Sequence, residues 1–153
     1  MLLRRKKRTG AILIESALVY PVLFMLVFGI VLLGMAVFRY QQVAHAAREG
    51  ARYAIVRGAR YSEETNLTAA TAADIFANGI QPYVAGMNPP NLTYAVSWNA
   101  DNKQTSSQVM TVNGEAKIVT IANKVSVTVT YTWNTGLFGS VPVSSTCVMT
   151  MSF

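Results

Sequence analysis

The chain is poor in the residue types on which most catalytic and metal sites depend. Its 153 residues include one cysteine, Cys147, and one histidine, His45, far apart along the chain. A lone cysteine excludes an internal disulfide, and the distant histidine does not form a nucleophile and base pair with it. The seven acidic residues are scattered without metal-ligand spacing. The sequence therefore predicts no enzymatic activity, no cofactor and no metal site.

Charge is also scarce and is unevenly distributed. Charged residues make up 13% of the chain and hydrophobic ones 52%, with a net charge of +6. Five of the 13 basic residues lie in residues 4–8, and the chain after Gly10 is nearly neutral. The positive excess is thus a short basic head and not a nucleic-acid surface, so we expect no nucleic-acid partner. The low charge of the remainder favours membrane attachment or assembly.

Residues 16–38 contain no charge at all. As a helix this run spans about 35 Å, enough to cross a hydrocarbon core of about 30 Å. The dense basic cluster precedes it, while the arginines after it are dispersed from Arg39 to Arg60. The positive-inside rule then predicts a single-pass membrane protein with a cytoplasmic amino terminus and an exported carboxyl terminus.

A secretory signal peptide is the first alternative, because Ala44-His45-Ala46 offers a cleavage site of the A-x-A type. The apolar run is longer than the usual 7–15 residues of such a signal. The site also lies beyond the run, past Arg39 and two glutamines. An uncleaved or differently cleaved membrane helix fits better.

The basic head leads to Gly10, then to Ala11-Ile12-Leu13-Ile14-Glu15 and the apolar run. This order resembles the class III signal of type IV pilin-like proteins. The resemblance implies that a prepilin peptidase cuts between Gly10 and Ala11 on the cytoplasmic face. Glu15 then becomes the fifth residue of the mature chain, and the apolar helix stays attached.

The spacing gives Glu15 a physical role. A lone carboxylate at bilayer depth costs about 2.5 kcal/mol or more. After cleavage the Ala11 ammonium lies one helical turn away, so Glu15 can pair with it or with the amine of a neighbouring subunit. We expect this pairing to set subunit docking. The alternative is a glutamate near the membrane interface, where charge costs little.

The apolar run itself contains Pro21, Gly29 and Gly34. Proline removes a backbone donor and usually bends a helix, so a kink is expected at Pro21. Small residues allow helices in a membrane to approach closely. The run is therefore either an ordinary anchor or a helix that packs against similar helices.

The stretch QQVAHAAREGARYAIVRGAR, residues 41–60, reads as helix, with small residues at helical spacing along one stripe. We expect this stripe to pack under a sheet, with the arginines solvated. The strings ESALVYPVLFMLVFGI and AAREGARYA resemble TadE-like proteins over residues 8 to about 57, although Tyr20 stands where the family often has an aliphatic residue. The motif comprises Ala46, Ala47, Arg48, Glu49, Gly50, Ala51 and Arg52.

The resemblance implies a pseudopilin of the tight-adherence (Flp-type) pilus assembly system. Its partners would be prepilin peptidase, other pilin or pseudopilin subunits, the inner-membrane assembly platform and the lipid bilayer. Because major pilins of such systems are usually much shorter, the added domain favours a minor subunit. The alternatives are a pseudopilin of a type II secretion system, an unprocessed signal-anchored binding domain and, least favoured, a membrane-tethered enzyme.

The remainder predicts an exported domain after a polar hinge at 61–67. Helical spacing covers 68–84, a turn follows at 85–91, and period-two patterns in 92–99, 125–133 and 147–153 indicate antiparallel strands. Asn113-Gly114 predicts a hairpin within 109–121, 100–108 reads as a loop, and 134–144 resists assignment. Two sequons, at Asn66 and Asn91, are attributed to chance, and the exposed threonine faces to ordinary solvent-facing strands.

The expected fold is α+β and pilin-like, with a long amino-terminal transmembrane helix, a short helix and an antiparallel sheet of about four to five strands. The expected organisation is a basic leader peptide at 1–10, a long helix at 11–60 with its transmembrane part at 16–38, and an exported α+β domain at 61–153.

Overall fold

The computed structural model describes residues 9–112, 114–136 and 139–152. The chain divides into two compact units, one up to Phe38 and one from Arg39 onward, and each is described by itself. The predicted leader at 1–10 lies outside the described residues except for its last two positions. Within the described part, helices precede five strands, which confirms the α+β class.

The first helix, α1, spans Thr9–Val56 and contains Pro21. From Ile12 to Phe38 its large apolar side chains are exposed. Within the described residues, α1 is the one helix long and apolar enough to cross a membrane, judged by length and composition. No other described residue of the first unit covers this apolar surface, which agrees with a membrane-anchoring segment.

The helix ends four residues before the predicted end at residue 60. The Arg57 carbonyl accepts a hydrogen bond from the Ala70 N–H at 2.8 Å, and the Ala59 N–H donates to the Asn102 carbonyl at 2.7 Å. Gly58 between them is extended and buried. Backbone groups that would continue α1 therefore bond to distant loops. Gly58, two residues after Val56, is the local sequence signal for this end, because glycine is common just past the carboxyl end of a helix.

A second helix, α2, spans Ala59–Thr65. The predicted hinge at 61–67 is therefore wrong over residues 61–65. Arg60 and Glu64 form an ion pair at 2.9 Å across one turn, which supports the helix. Asn66 ends it with a left-handed backbone (φ 56°).

The predicted helix at 68–84 is present over 72–83 in three consecutive forms, called here the 72–83 segment. It consists of α3 (Ala72–Asp74), a π-helix (Ile75–Ile80) and a 3-10 helix (Gln81–Tyr83). A capping box starts it: the Asp74 N–H donates to the Thr71 hydroxyl, and the Thr71 N–H donates to the Asp74 carboxylate. A short 3-10 helix, Pro89–Asn91, then leads into the first strand.

Five strands follow: β1 (Leu92–Trp98), β2 (Thr105–Val112), β3 (Glu115–Ala122), β4 (Lys124–Asn134) and β5 (Ser140–Thr150). They form two sheets and not one. β4 pairs antiparallel with β1 and β5, while β2 and β3 form a separate hairpin. Of its predicted turn, Asn113 lies outside the described residues and Gly114 has φ 87°. The loop predicted at 100–108 gives way to β2 at Thr105, and β5 begins within the unassigned 134–144.

Alternation in β4 separates a core face from an outer face. Val125, Val127, Val129 and Tyr131 are buried, and the core cluster joins them to small residues of α1 and to the 72–83 segment. Phe76 stacks on Tyr94 of β1 with ring centroids 4.4 Å apart. The opposite face carries hydroxyl pairs, such as Thr128 and Thr146 at 2.8 Å. The sheet is thus half-buried, with its helices on one face.

Candidate functional site

The first group of predicted site residues lies at the amino-terminal end of α1. Gly10 is exposed, and a side chain built on it would meet no other atom within 4 Å. Ala11 follows within α1. Nothing in the described part of the subunit itself therefore requires a glycine at position 10.

Glu15 is exposed in the same helix, on a shallow depression lined by Ile12, Ser16, Val19 and Tyr20. No hydrogen bond or ion pair joins its carboxylate to another described residue. It is one acidic group within a surface of exposed apolar side chains. Such a carboxylate strongly favours a cationic partner once the surrounding surface leaves water.

Pro21 lies inside α1, which continues on both sides of it. The kink predicted there stays a prediction. Gly29 and Gly34 also have open space where a side chain would be, with no atom within 4 Å. Contacts within the described chain thus do not account for these two glycines.

The motif at 46–52 divides by helix face. Its small residues Ala46, Ala47, Gly50 and Ala51 are buried. A side chain on Gly50 would come within 2.8 Å of Ile80 Cγ1 and 3.2 Å of Val127 Cγ1. The expectation that a small-residue stripe packs under the sheet is confirmed, because α1 here lies against both β4 and the 72–83 segment.

The charged residues of the motif face outward. Arg48 is exposed, and its Nε donates to the Ala44 carbonyl at 3.2 Å. Arg52 lies 3.6 Å from the half-buried Glu49. An exposed pair at this distance contributes at most about 1 kcal/mol to stability. Arg52 is therefore available for other anions at little cost.

Beside these charges, α1 and the 72–83 segment enclose an open cavity of about 340 Å³, called here the arginine–tyrosine groove. Val56 and Arg57 lie at one end of it, and Asn78 and Gly79 form the facing wall. Its remaining lining residues are Glu49, Arg52, Tyr53 and Tyr83. The groove thus combines two guanidinium groups, one carboxylate and two phenol rings.

Arg57 is the residue that the groove holds most firmly. Its guanidinium carbon lies 4.2 Å from the centre of the Tyr53 ring and 5.9 Å from that of Tyr61. Its Nη1 also donates to the Tyr53 hydroxyl. Cation–π contact on two sides fixes the group without neutralising it.

The remaining candidate residues do not converge on a catalytic arrangement. His45 is exposed and stacks on Tyr83 with ring centroids 5.2 Å apart. Cys147 is a free thiol in β5, partly buried against the core. Among the described residues, no three histidine, cysteine or acidic side chains are grouped to hold a metal ion.

Comparison with protein families places the amino-terminal part of the chain. The family model described as TadE-like protein matches residues 10–52. Residues 10–52 are therefore similar to TadE-like proteins. The TadE-like segment includes Gly10, Ala11, Glu15 and the whole motif at 46–52. Neither the curated proteins nor the solved structures gave a match.

The TadE-like match suggests a protein associated with a tight-adherence pilus. The long apolar helix is consistent with a single-pass anchor in such a system. The match stops at Arg52, so it does not cover the sheets or most of the groove. The match therefore carries no information about what the carboxyl-terminal part binds.

Sequence reasoning missed the groove. Tyr53, Arg57 and Tyr61 follow one another at a spacing of four, which would place them on one face of a helix continued past Val56 and was the available signal. The facing residues Asn78 and Tyr83 carry no such signal. They reach the groove through tertiary packing, because Gly79 allows the 72–83 segment to lie against α1.

Proposed function

We propose that this chain is a minor pilin or pseudopilin of a tight-adherence pilus system. Prepilin peptidase cleaves it between Gly10 and Ala11, and α1 holds it in the inner membrane with its amino terminus cytoplasmic. The part from residue 61 onward is exported to the periplasm or the pilus surface. The subunit joins the assembly through α1 and has no catalytic role.

The observation that carries this proposal is the state of Glu15. Among the described residues it has no hydrogen-bond or ion-pair partner, and it is an exposed carboxylate within the matched residues 10–52, among exposed apolar side chains. Cleavage at Ala11 creates an ammonium one turn away, at the helix end whose dipole already favours a negative charge. Glu15 then has a partner on its own chain or on a neighbour.

The position of the scissile bond adds a further requirement. Gly10 and Ala11 lie in the first turns of α1, and a protease must bind this backbone in extended form. Helix ends fray readily, and glycine weakens a helix by about 1 kcal/mol relative to alanine. We infer that Gly10 both eases local unwinding and lets the protease approach the backbone.

The first experiment is an intact-mass measurement on the membrane-bound protein from cells that contain prepilin peptidase. A mass corresponding to a chain that begins at Ala11 supports the proposal. Retention of Met1 would favour the unprocessed anchored domain. Gly10→Ala should block cleavage while leaving the subunit fold unchanged, because a side chain there meets nothing in the described structure.

The second experiment tests assembly. Glu15→Ala and Glu15→Gln should be cleaved normally but incorporated poorly, whereas Ser16→Ala, the adjacent control, should behave as the unaltered chain. The readout is the fraction of mature protein that co-purifies with pilus components. Full incorporation of both Glu15 variants would contradict the pairing role. Co-purification with type II secretion components instead would favour that alternative.

A further inference from the structure

The arginine–tyrosine groove contains a cation without a matching anion. Arg57 is partly buried, and its guanidinium lies near two tyrosine rings. No acidic group of the described residues lies within ion-pair distance of it. A partly buried guanidinium retains most of its capacity for charge-assisted hydrogen bonds, and these are about twice as strong as neutral ones.

One acidic side chain beside Arg57, Asp74, is already engaged in hydrogen bonds. Asp74 and Arg57 both line a second cavity of about 230 Å³ next to the groove. The Asp74 carboxylate, however, accepts hydrogen bonds from the Thr71 hydroxyl at 2.7 Å and the Thr71 N–H at 3.0 Å. The Asp74 carboxylate therefore belongs to the capping box, and the Arg57 guanidinium can still bind an external anion.

The surroundings of the groove favour a negatively charged occupant. Residues 39–60 contain five arginines and one acid, Glu49. Exposed Arg52 is on the groove wall, only loosely paired with that acid at 3.6 Å. Complementary charge of this kind guides association and rejects partners of the same sign.

The non-charged part of the lining favours a polypeptide over a free anion. Tyr53, Tyr83 and Val56 offer apolar surface next to the arginines. Tyrosine and arginine are the side chains most enriched where protein partners bind.

We propose that the arginine–tyrosine groove binds an acidic segment of a partner pilus subunit, with one carboxylate on Arg57. That the partner is a pilus subunit rests on the proposed function, whereas the preference for an acidic segment rests on the groove residues alone. In this proposal the carboxylate accepts from Arg57, with Arg52 on the same lining adding positive charge, while neighbouring side chains of the segment cover the tyrosine rings.

The test measures binding to the full chain in micelles of an uncharged detergent. The probe is a short fluorescent peptide of alternating glutamate and alanine, and its glutamine counterpart is the matched control. We expect the glutamate peptide alone to bind. Arg57→Gln should weaken its binding about tenfold or more, as expected for loss of a charged hydrogen bond.

Two further variants distinguish binding in the groove from nonspecific attraction of the peptide to positive charge. Arg57→Lys keeps the charge but loses the planar group stacked on tyrosine, so it should bind with intermediate affinity. Arg60→Gln removes a charge three residues away, outside the groove, and should change affinity by less than about twofold, as for a screened surface charge. Unchanged thermal midpoints in all variants show that the fold is retained.

Several outcomes would overturn the proposal. They are equal binding of both peptides, no binding of the glutamate peptide, or equal losses in Arg57→Gln and Arg60→Gln. Displacement of the peptide by inorganic phosphate at similar concentration would indicate a simple anion site. A chain that binds the peptide but keeps its leader in cells would contradict the proposed function and leave the groove chemistry intact.

Discussion

At the residue scale, two glycines set how closely α1 and the 72–83 segment approach. A side chain on Gly79 would come within 2.9 Å of Tyr53 Cβ and 3.0 Å of Gly50 Cα. Both neighbours belong to, or are attached directly to, the main chain, so neither can move aside alone. The glycine pair thus fixes the helix crossing that forms the arginine–tyrosine groove.

Gly79→Ala should therefore destabilise the sheet-bearing part of the protein by about 1–3 kcal/mol, the usual cost of overpacking. Gly50→Ala should cost a similar amount, because its side chain would come within 2.8 Å of Ile80 Cγ1 and Ile80 is fully buried. Denaturant unfolding followed by circular dichroism measures both. Gly29→Ala, with open space around it, is the control. Equal stability of all three variants would mean that the crossing is not tight.

A second residue-scale prediction concerns Asp74. Hydrogen bonds from the Thr71 side chain and the Thr71 backbone lower the pKa of Asp74 from its ordinary 3.8. A lowered pKa in the folded state means that ionised Asp74 stabilises the fold above about pH 4, and that this stability is lost as pH falls through the folded pKa. Asp74→Asn should flatten the loss of stability on acidification, measured as thermal midpoint against pH. Thr71→Ala should flatten it in part, and unaltered curves for both would contradict the role of the capping box.

At the element scale, Asn123 joins the β2–β3 hairpin to the larger sheet. It is fully buried, and its Nδ2 donates to Asp101 Oδ1 at 2.6 Å while its Oδ1 accepts from Ser106 at 2.8 Å. Its backbone N–H donates to the Gln104 carbonyl, and its carbonyl accepts from the Met151 N–H. An isolated hairpin of two strands is only marginally stable in water, so these hydrogen bonds help to hold the β2–β3 hairpin in place.

Asn123→Asp should be strongly destabilising at neutral pH, by about 3 kcal/mol, because it places a second carboxylate against Asp101 in a buried site. Stability should recover as pH falls and the introduced carboxyl becomes a donor. Ser106→Ala is the matched control and should cost about 1 kcal/mol without pH dependence. Unfolding at pH 7 and pH 4 distinguishes them, and a pH-independent loss in Asn123→Asp would argue against contact with Asp101.

The same scale shows where sequence patterns succeed. Alternation in residues 125–133 identified β4 and its buried valines, because one face of that strand is the core. The division into two sheets had no such signal, since it depends on which strands pair and not on alternation. The end of α1 at Val56 has a local signal in Gly58 but also depends on Ala70 and Asn102, which are distant in sequence. The groove was missed for the same reason.

At the scale of the whole molecule, the two units differ in whether their apolar side chains are buried within the chain. From Arg39 onward, apolar side chains meet in one core cluster. Up to Phe38, they remain exposed in the single chain. In water this surface would cost far more than the protein's stability could offset. The first unit is thus complete only in a bilayer or among other helices.

Substitutions at Gly29 and Gly34 can show whether α1 is surrounded by lipid or packed against other helices. Lipid tails conform to any side chain, whereas a packed helix requires small residues at the contact. Gly29→Leu and Gly34→Leu should therefore leave membrane insertion and cleavage intact but lower the fraction of mature protein that co-purifies with pilus components. Val31→Leu, which enlarges an already large exposed side chain by little, is the control. If both glycine variants assemble as well as the control, α1 serves as an anchor in lipid, and lateral packing must depend on Glu15 alone.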